Sequence, residues 1–190
     1  MNIPFISAMP GPGGAYSKNL YMELDTSVGR PCLVGTPGLE QFCKPVANSE
    51  VRGMYVNGST LYAVCGNTVY SIDTSGNATS LGTIGTSTGK VWFAYDDVGV
   101  STDSTAAELL IVDGSAAYRY TGGSLSSQGV GVTPSSLAYL NLYFFVSAAG
   151  SDIMKSSNAG DGGTWTTLFE AQAEGNSDPI RALISVNKDL

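Results

Sequence analysis

Histidine is absent from the 190 residues, and this removes most of the usual catalytic repertoire. Ser-His-Asp triads, Cys-His pairs and imidazole metal centres all need a side chain that this chain lacks. Asp96, Asp97, Asp103 and Glu108 lie close in sequence, and clustered carboxylates can supply the oxygens that Ca²⁺ requires. They do not follow the D-x-[DN]-x-[DN]-G order of a calcium loop, so a solvated acidic loop is expected instead. Cys32, Cys43 and Cys65 are odd in number and have no CxxC spacing, as expected of free thiols in a reducing compartment. Gly11-Pro12-Gly13-Gly14 and Gly129-Val130-Gly131 lack the strand–turn–helix setting that makes a phosphate cradle. Arginine occurs four times, at Arg30, Arg52, Arg119 and Arg181. Arg52 and Arg181 recur beside similar apolar segments, which points to interface or turn contacts rather than to a carboxylate-binding cluster. No catalytic, cofactor-binding or metal-ligating residue is assigned, and no cofactor is expected.

The elements that would hold these residues are strands. Charged residues are 13% of the chain, about half the usual share, while Gly numbers 24. That balance suits short strands joined by tight turns, since Gly takes the positive-φ positions such turns need. From Val51 onward a pattern recurs. Apolar first strands are predicted at 51–55, 91–95, 136–139 and 181–184, with second strands at 61–64, 109–112 and 142–146. Third strands follow at 68–72, 117–120 and 152–155, and weaker fourth strands at 78–81, 124–126 and 165–168. Cys65-Gly66-Asn67 and Asp113-Gly114-Ser115 sit at matching turns, and Asn57-Gly58 is a strong hairpin signal. A period of roughly 40–45 residues is that of four-stranded propeller blades. The second strands are apolar on both sides, as strands buried between neighbouring blades should be.

The expected fold is therefore all-β, with propeller-like blades. Residues 51–190 hold about three blades and the start of a fourth; closed propellers take about four to eight, so the propeller is expected to be incomplete. Residues 1–50 carry six of the eight prolines and little alternation, and are expected to form an extended arm that serves as an interface segment. Met1-Asn2-Ile3-Pro4-Phe5 has no basic stretch, so no signal peptide is expected, and no apolar run is long enough to span a bilayer. The net charge of −7 argues against sequence-specific nucleic-acid binding, which normally shows a basic patch, yet it is compatible with a surface past which DNA slides.

Asn19-Leu20-Tyr21-Met22-Glu23, Gly35-Thr36-Pro37-Gly38-Leu39, Val51-Arg52-Gly53-Met54-Tyr55 and the run 61–70 follow one another in a distinctive order. In that order and spacing the chain resembles the tail hub or nozzle proteins of short-tailed bacteriophages, the packaged DNA stabilisation family. The resemblance implies a structural virion protein with no catalytic residues. It implies a ring, usually a hexamer, below the portal and head-to-tail adaptor. Such a ring extends the DNA channel, retains the packaged genome until ejection and mounts a tail needle, fibres or spikes. Double-stranded DNA would pass through without sequence-specific binding. The place would be the virion tail, after assembly in the bacterial cytoplasm.

Two other classes compete. The stretch from Ser157 to Trp165 is similar to the Asp-box turn of sialidase-like propellers, although its spacing is disturbed. A glycosidase of that type also needs an arginine cluster and a Tyr/Glu nucleophilic pair, so the simpler expectation is a Gly-rich hairpin anchored by Trp165 between blades. The third possibility is a generic propeller scaffold for protein contacts.

Overall fold

The computed structural model describes residues 20–25, 27, 29–35, 38, 40–45, 49–96, 107–172 and 178–185. The Pro10–Gly14 stretch, the Thr36-Pro37 and Leu39 positions of the family-like motif, and Asp97 and Asp103 lie outside them. The chain divides into two compact units, Met1–Gln41 and Phe42–Leu190.

In the first unit, β1 (Leu20–Asp25) pairs antiparallel with β2 (Arg30–Gly35). Proline content and weak alternation predict an extended arm here, whereas these residues form a ladder. Pro31 is nonetheless accommodated opposite Leu24, because in a two-stranded ladder each strand is an edge and a missing donor is tolerated there.

In the second unit every sheet is a four-stranded antiparallel meander in chain order. Blade 1 is β3 (Val51–Asn57), β4 (Thr60–Cys65), β5 (Thr68–Ile72) and β6 (Ala78–Thr83). Blade 2 is β7 (Trp92–Asp96), β8 (Glu108–Val112), β9 (Ala117–Thr121) and β10 (Ser124–Gln128). Blade 3 is β11 (Pro134–Leu140), β12 (Tyr143–Ala148), β13 (Ile153–Asn158) and β14 (Asp161–Gln172). The three sheets form a partial β-propeller. Its first strands adjoin one another, β3 against β7 and β7 against β11, while β6 meets β10 further out.

The second strands are the most buried. All five residues of β8 are inaccessible, including Leu109, Leu110, Ile111 and Val112, because each face of that strand meets a different blade. One boundary differs from the sequence expectation. Leu142 lies in the β11–β12 turn rather than in the strand, with Asn141 at φ 50° and Leu142 at φ 74°. Positive φ at both central residues is what a two-residue hairpin turn demands, here imposed on a leucine by the pairing of Leu140 with Tyr143. At 181–184, the expected opening strand of a fourth blade, 178–185 form no ladder among the described residues. This segment is instead tied to blade 3, Ile180 N–H donating to Ser151 O at 2.9 Å and Leu183 N–H to Ser136 Oγ at 3.1 Å.

Candidate functional site

Arg52, Asp96, Glu108, Arg119 and Trp165, all singled out in the sequence, lie at the two seams between blades. At the seam of blades 1 and 2, Val64 and Val69 meet Leu109, Ile111 and Tyr118 in one apolar cluster. Above it the rings of Tyr55, Phe93, Tyr95 and Tyr62 form an offset stack with centroids 6.3–6.5 Å apart. Gly53 sets the spacing. A Cβ there would stand 2.5 Å from the Val91 carbonyl oxygen and 3.0 Å from the Phe93 ring, so only glycine lets β3 approach β7 this closely.

Arg52 fastens the same seam from within. Its buried guanidinium donates to the carbonyls of Gly66, Thr86, Thr88 and Gly89 and to Thr86 Oγ1, all at 2.7–2.9 Å. No carboxylate takes part; five oxygens spread over a turn and a connector satisfy the fork. Thr86 hands the network on, its N–H and Oγ1 both donating to Asp113 Oδ2. Asp113 also accepts from the N–H groups of Ser115 and Ala116, closing the β8–β9 turn. Burial pushes the Asp113 carboxyl upward, but its hydrogen bonds from Ala116, Ser115 and Thr86 outweigh burial and hold it below the ordinary carboxylate value.

The seam of blades 2 and 3 is built on charge. Leu110, Val112, Leu137, Phe144 and Val146 supply its apolar part, with Trp165 packed against them. At one end Glu108 is buried and takes Arg119 Nη2 on Oε1 and the Gly162 N–H on Oε2, the latter at 2.7 Å. Asp161 lies 3.7 Å from the same guanidinium and accepts from Gly163 N–H, while Trp165 Nε1 donates to Gly162 O. Added Cβ atoms at Gly162 and Gly163 would collide with the Glu108 carboxylate and the Arg119 guanidinium, so the glycine pair is what lets this hairpin cover the ion pair. Tyr139 O–H donates to Asp96 Oδ1 across the seam at 2.6 Å.

A cleft of about 310 Å³ runs along the first strands, lined by Tyr55, Phe93, Tyr95, Tyr139 and the 183–185 segment among others. It is aromatic and holds no charged side chain in its lining.

A model of the family described as Bacteriophage P22 Gp10, β-propeller, matches residues 14–190. The chain belongs to that family, a family of phage structural, stabilising proteins. No curated protein matches the sequence. Among solved structures, the computationally designed Ika4 protein is similar in fold, with a TM-score of 0.50 and 11% identity over 79% of this chain and 89% of that one. The computationally designed Ika8 protein gives a TM-score of 0.51 and 12% identity, over 91% of this chain and 52% of that one.

Within this Gp10-family propeller the arginines do not act as a cluster. Arg52 serves the first blade seam and Arg119 the second, each engaged in its own network, while Arg30 and Arg181 are exposed. Asp96 and Glu108 correct the expectation of a solvated acidic loop: both are buried cross-strand partners facing blade 3. Among the described residues no group of acidic and cysteine side chains is arranged to hold a metal ion. Cys32, Cys43 and Cys65 are free thiols, with Cys65 pushed up by burial and then by Cys43. Trp165 takes the anchoring place between blades that its sequence context implied. Thr86 was missed by sequence reasoning, since a connector threonine carries no signal until its partners 27 and 34 residues away are known.

Proposed function

We propose that this chain is a structural subunit of a phage tail hub, a ring-forming nozzle that extends the DNA channel below the portal and adaptor. In this role it helps retain packaged DNA, carries a needle, fibres or spikes, and works without catalysis, cofactor or metal. Residues 1–50 act as the interface arm and residues 51–190 as the propeller body.

The observation that carries this reading is the family match, which extends over residues 14–190. The seams support it. Buried polar groups that in an enzyme would be candidates for chemistry are consumed here in fastening one blade to the next. The net charge of −7 suits a channel wall, because basic residues would hold DNA by counterion release and slow its passage. The ring is expected to be hexameric and to reside in the virion tail after assembly in the host cytoplasm.

The test is genetic and visual. Phage particles made without this protein should fill but lose DNA, and micrographs of the complete tail should show it as a ring below the adaptor. Stable, full particles in its absence would refute the hub role. Incubation of the protein with sialosides and chromogenic glycosides should give rates equal to buffer; reproducible turnover would favour the glycosidase reading instead.

A further inference from the structure

Blade 1 has two faces, and blade 2 covers one of them: Val64 and Val69 join the seam cluster with Leu109 and Ile111. Strand parity turns Ala63 and Cys65 of β4 and Ile72 of β5 to the opposite face. These three belong to neither seam cluster, yet they are only 2%, 5% and 4% exposed. On the same face Met54 and Val56 of β3 are each 65% exposed. The cover on this face therefore lies over β4 and β5 and stops short of β3.

The segment that leads into blade 1 crosses this part of it. The Phe42 carbonyl oxygen abuts Gly76 in the β5–β6 turn so closely that a Cβ there would collide with it. At the other end of the blade Ser49 Oγ packs on Gly66, and Glu50 O accepts from the Gly66 N–H at 2.9 Å. Exposure alternates along the strap: Phe42 and Lys44 are exposed, whereas Cys43 and Pro45 are half-buried. Cys43 thus turns towards the side of the blade on which Cys65 lies, and both residues belong to one compact unit. Their nearness is felt electrostatically, since Cys43 is the second cause, after burial, that pushes the Cys65 thiol up. Cys32 lies in β2 of the other unit.

From these placements we infer that Cys43 and Cys65 are an oxidisable pair whose disulfide pins the strap to blade 1. Residues 42–45 have no ladder partner among the described residues, so the strap can yield the small shift that disulfide geometry demands. A low-molecular-weight disulfide is the oxidant. The more accessible Cys43 thiolate attacks one of its sulfurs, forming a mixed disulfide and releasing one thiolate. The Cys65 thiolate then attacks the Cys43 sulfur, the Cys43–Cys65 bond forms and the second thiolate leaves. The protein loses two electrons and two protons, and the oxidant ends as two thiols. Burial of Cys65 makes the second step the slower one, because less of that thiol is ionised. The pairing does not depend on the hub role, which adds only a change of compartment. A chain assembled in a reducing cytoplasm and working outside it keeps its strap free during assembly and pinned afterwards.

The full chain should be reduced, incubated with oxidised glutathione and mapped by mass spectrometry without reduction, beside Cys32→Ser, Cys43→Ser and Cys65→Ala. Expected in the natural chain is one linked peptide joining Cys43 to Cys65 within a single molecule, with Cys32 left outside the pair. Closing a loop of about 20 residues should raise the melting temperature by about 5 °C or more over the reduced chain, reversibly with dithiothreitol. Cys32→Ser should keep the bond and the gain. Cys43→Ser, at a half-buried site, should lose both while its reduced form melts with the reduced natural chain. Cys65→Ala should stop at a glutathione adduct on Cys43. Free thiols at both positions after oxidation, an adduct on Cys43 that never resolves in the natural chain, or a pair that includes Cys32 would overturn the pairing. A Cys43–Cys65 bond that leaves the melting temperature unchanged would overturn the pinning. None of these results bears on the hub role, which particles made without the protein test separately.

Discussion

The two seams join equivalent faces of successive blades, yet they are fastened by different physics. Between blades 1 and 2 a single arginine is saturated by neutral oxygens, and the close approach is set by Gly53. At the seam of blades 2 and 3 a buried glutamate holds an arginine of its own blade and accepts from the Gly162 N–H of the next, and the close approach is set by Gly162 and Gly163. A repeat therefore constrains strand order and apolar parity but leaves the polar fastening of each junction free. What is common is a glycine at the tightest point, because two backbones can meet only where no Cβ intervenes.

Breaking the first seam should cost most. Arg52→Met leaves four carbonyls and a hydroxyl without their donor in a buried place, and should lower the unfolding free energy by about 4 kcal/mol. Chemical denaturation would measure it, and a loss below about 1 kcal/mol would mean that water replaces the guanidinium. Next comes the second seam. Glu108→Gln keeps the shape but removes the charge facing Arg119, and should cost about 2 kcal/mol. Because the carboxylate side chain is almost fully buried, raising the salt concentration should change that cost little; a strong salt dependence would show that the pair is in fact solvated.

Tyr139→Phe deletes one hydrogen bond to Asp96 and should cost about 1 kcal/mol, read as a small drop in melting temperature. The mildest test at neutral pH concerns Asp113. Its folded-state affinity for protons is depressed, so its contribution is complete above the ordinary carboxylate value, about 3.9, and is lost as pH falls through the lower folded value. Stability measured from neutral pH downward should therefore fall below about pH 4, and Asp113→Asn should flatten part of that fall. Parallel curves for the two proteins would remove Asp113 from the fastening of the first seam.

Much of this architecture is legible in the sequence because it is local. The β3–β4 hairpin closes where Asn57-Gly58 predicts, and the apolar segments at 61–64 and 109–112 fall within β4 and β8. Leu142 was assigned to a strand because apolar patterning cannot separate a turn residue from its neighbours when the turn carries no glycine. The burial of Asp96 and Glu108 was not legible, since charge in a polar-looking stretch reads as solvent exposure until Tyr139 and Gly162 are brought to it from far along the chain. The role of Arg52 was hidden for a related reason. Its partners are mostly backbone carbonyls, which every residue type possesses and no motif can announce.

The strictly sequential strand order has a kinetic consequence. No ladder in the described residues crosses from one blade to another, and the widest paired span, Trp92 with Val112, stays inside blade 2. Each blade can thus close while the following one is still being synthesised, with little loop entropy spent on its pairing. Docking of one finished blade on the next then becomes the slow step, and the surface waiting between the two events is the apolar one. The interval between blade closure and seam formation is when neighbouring nascent chains are most able to stick to each other.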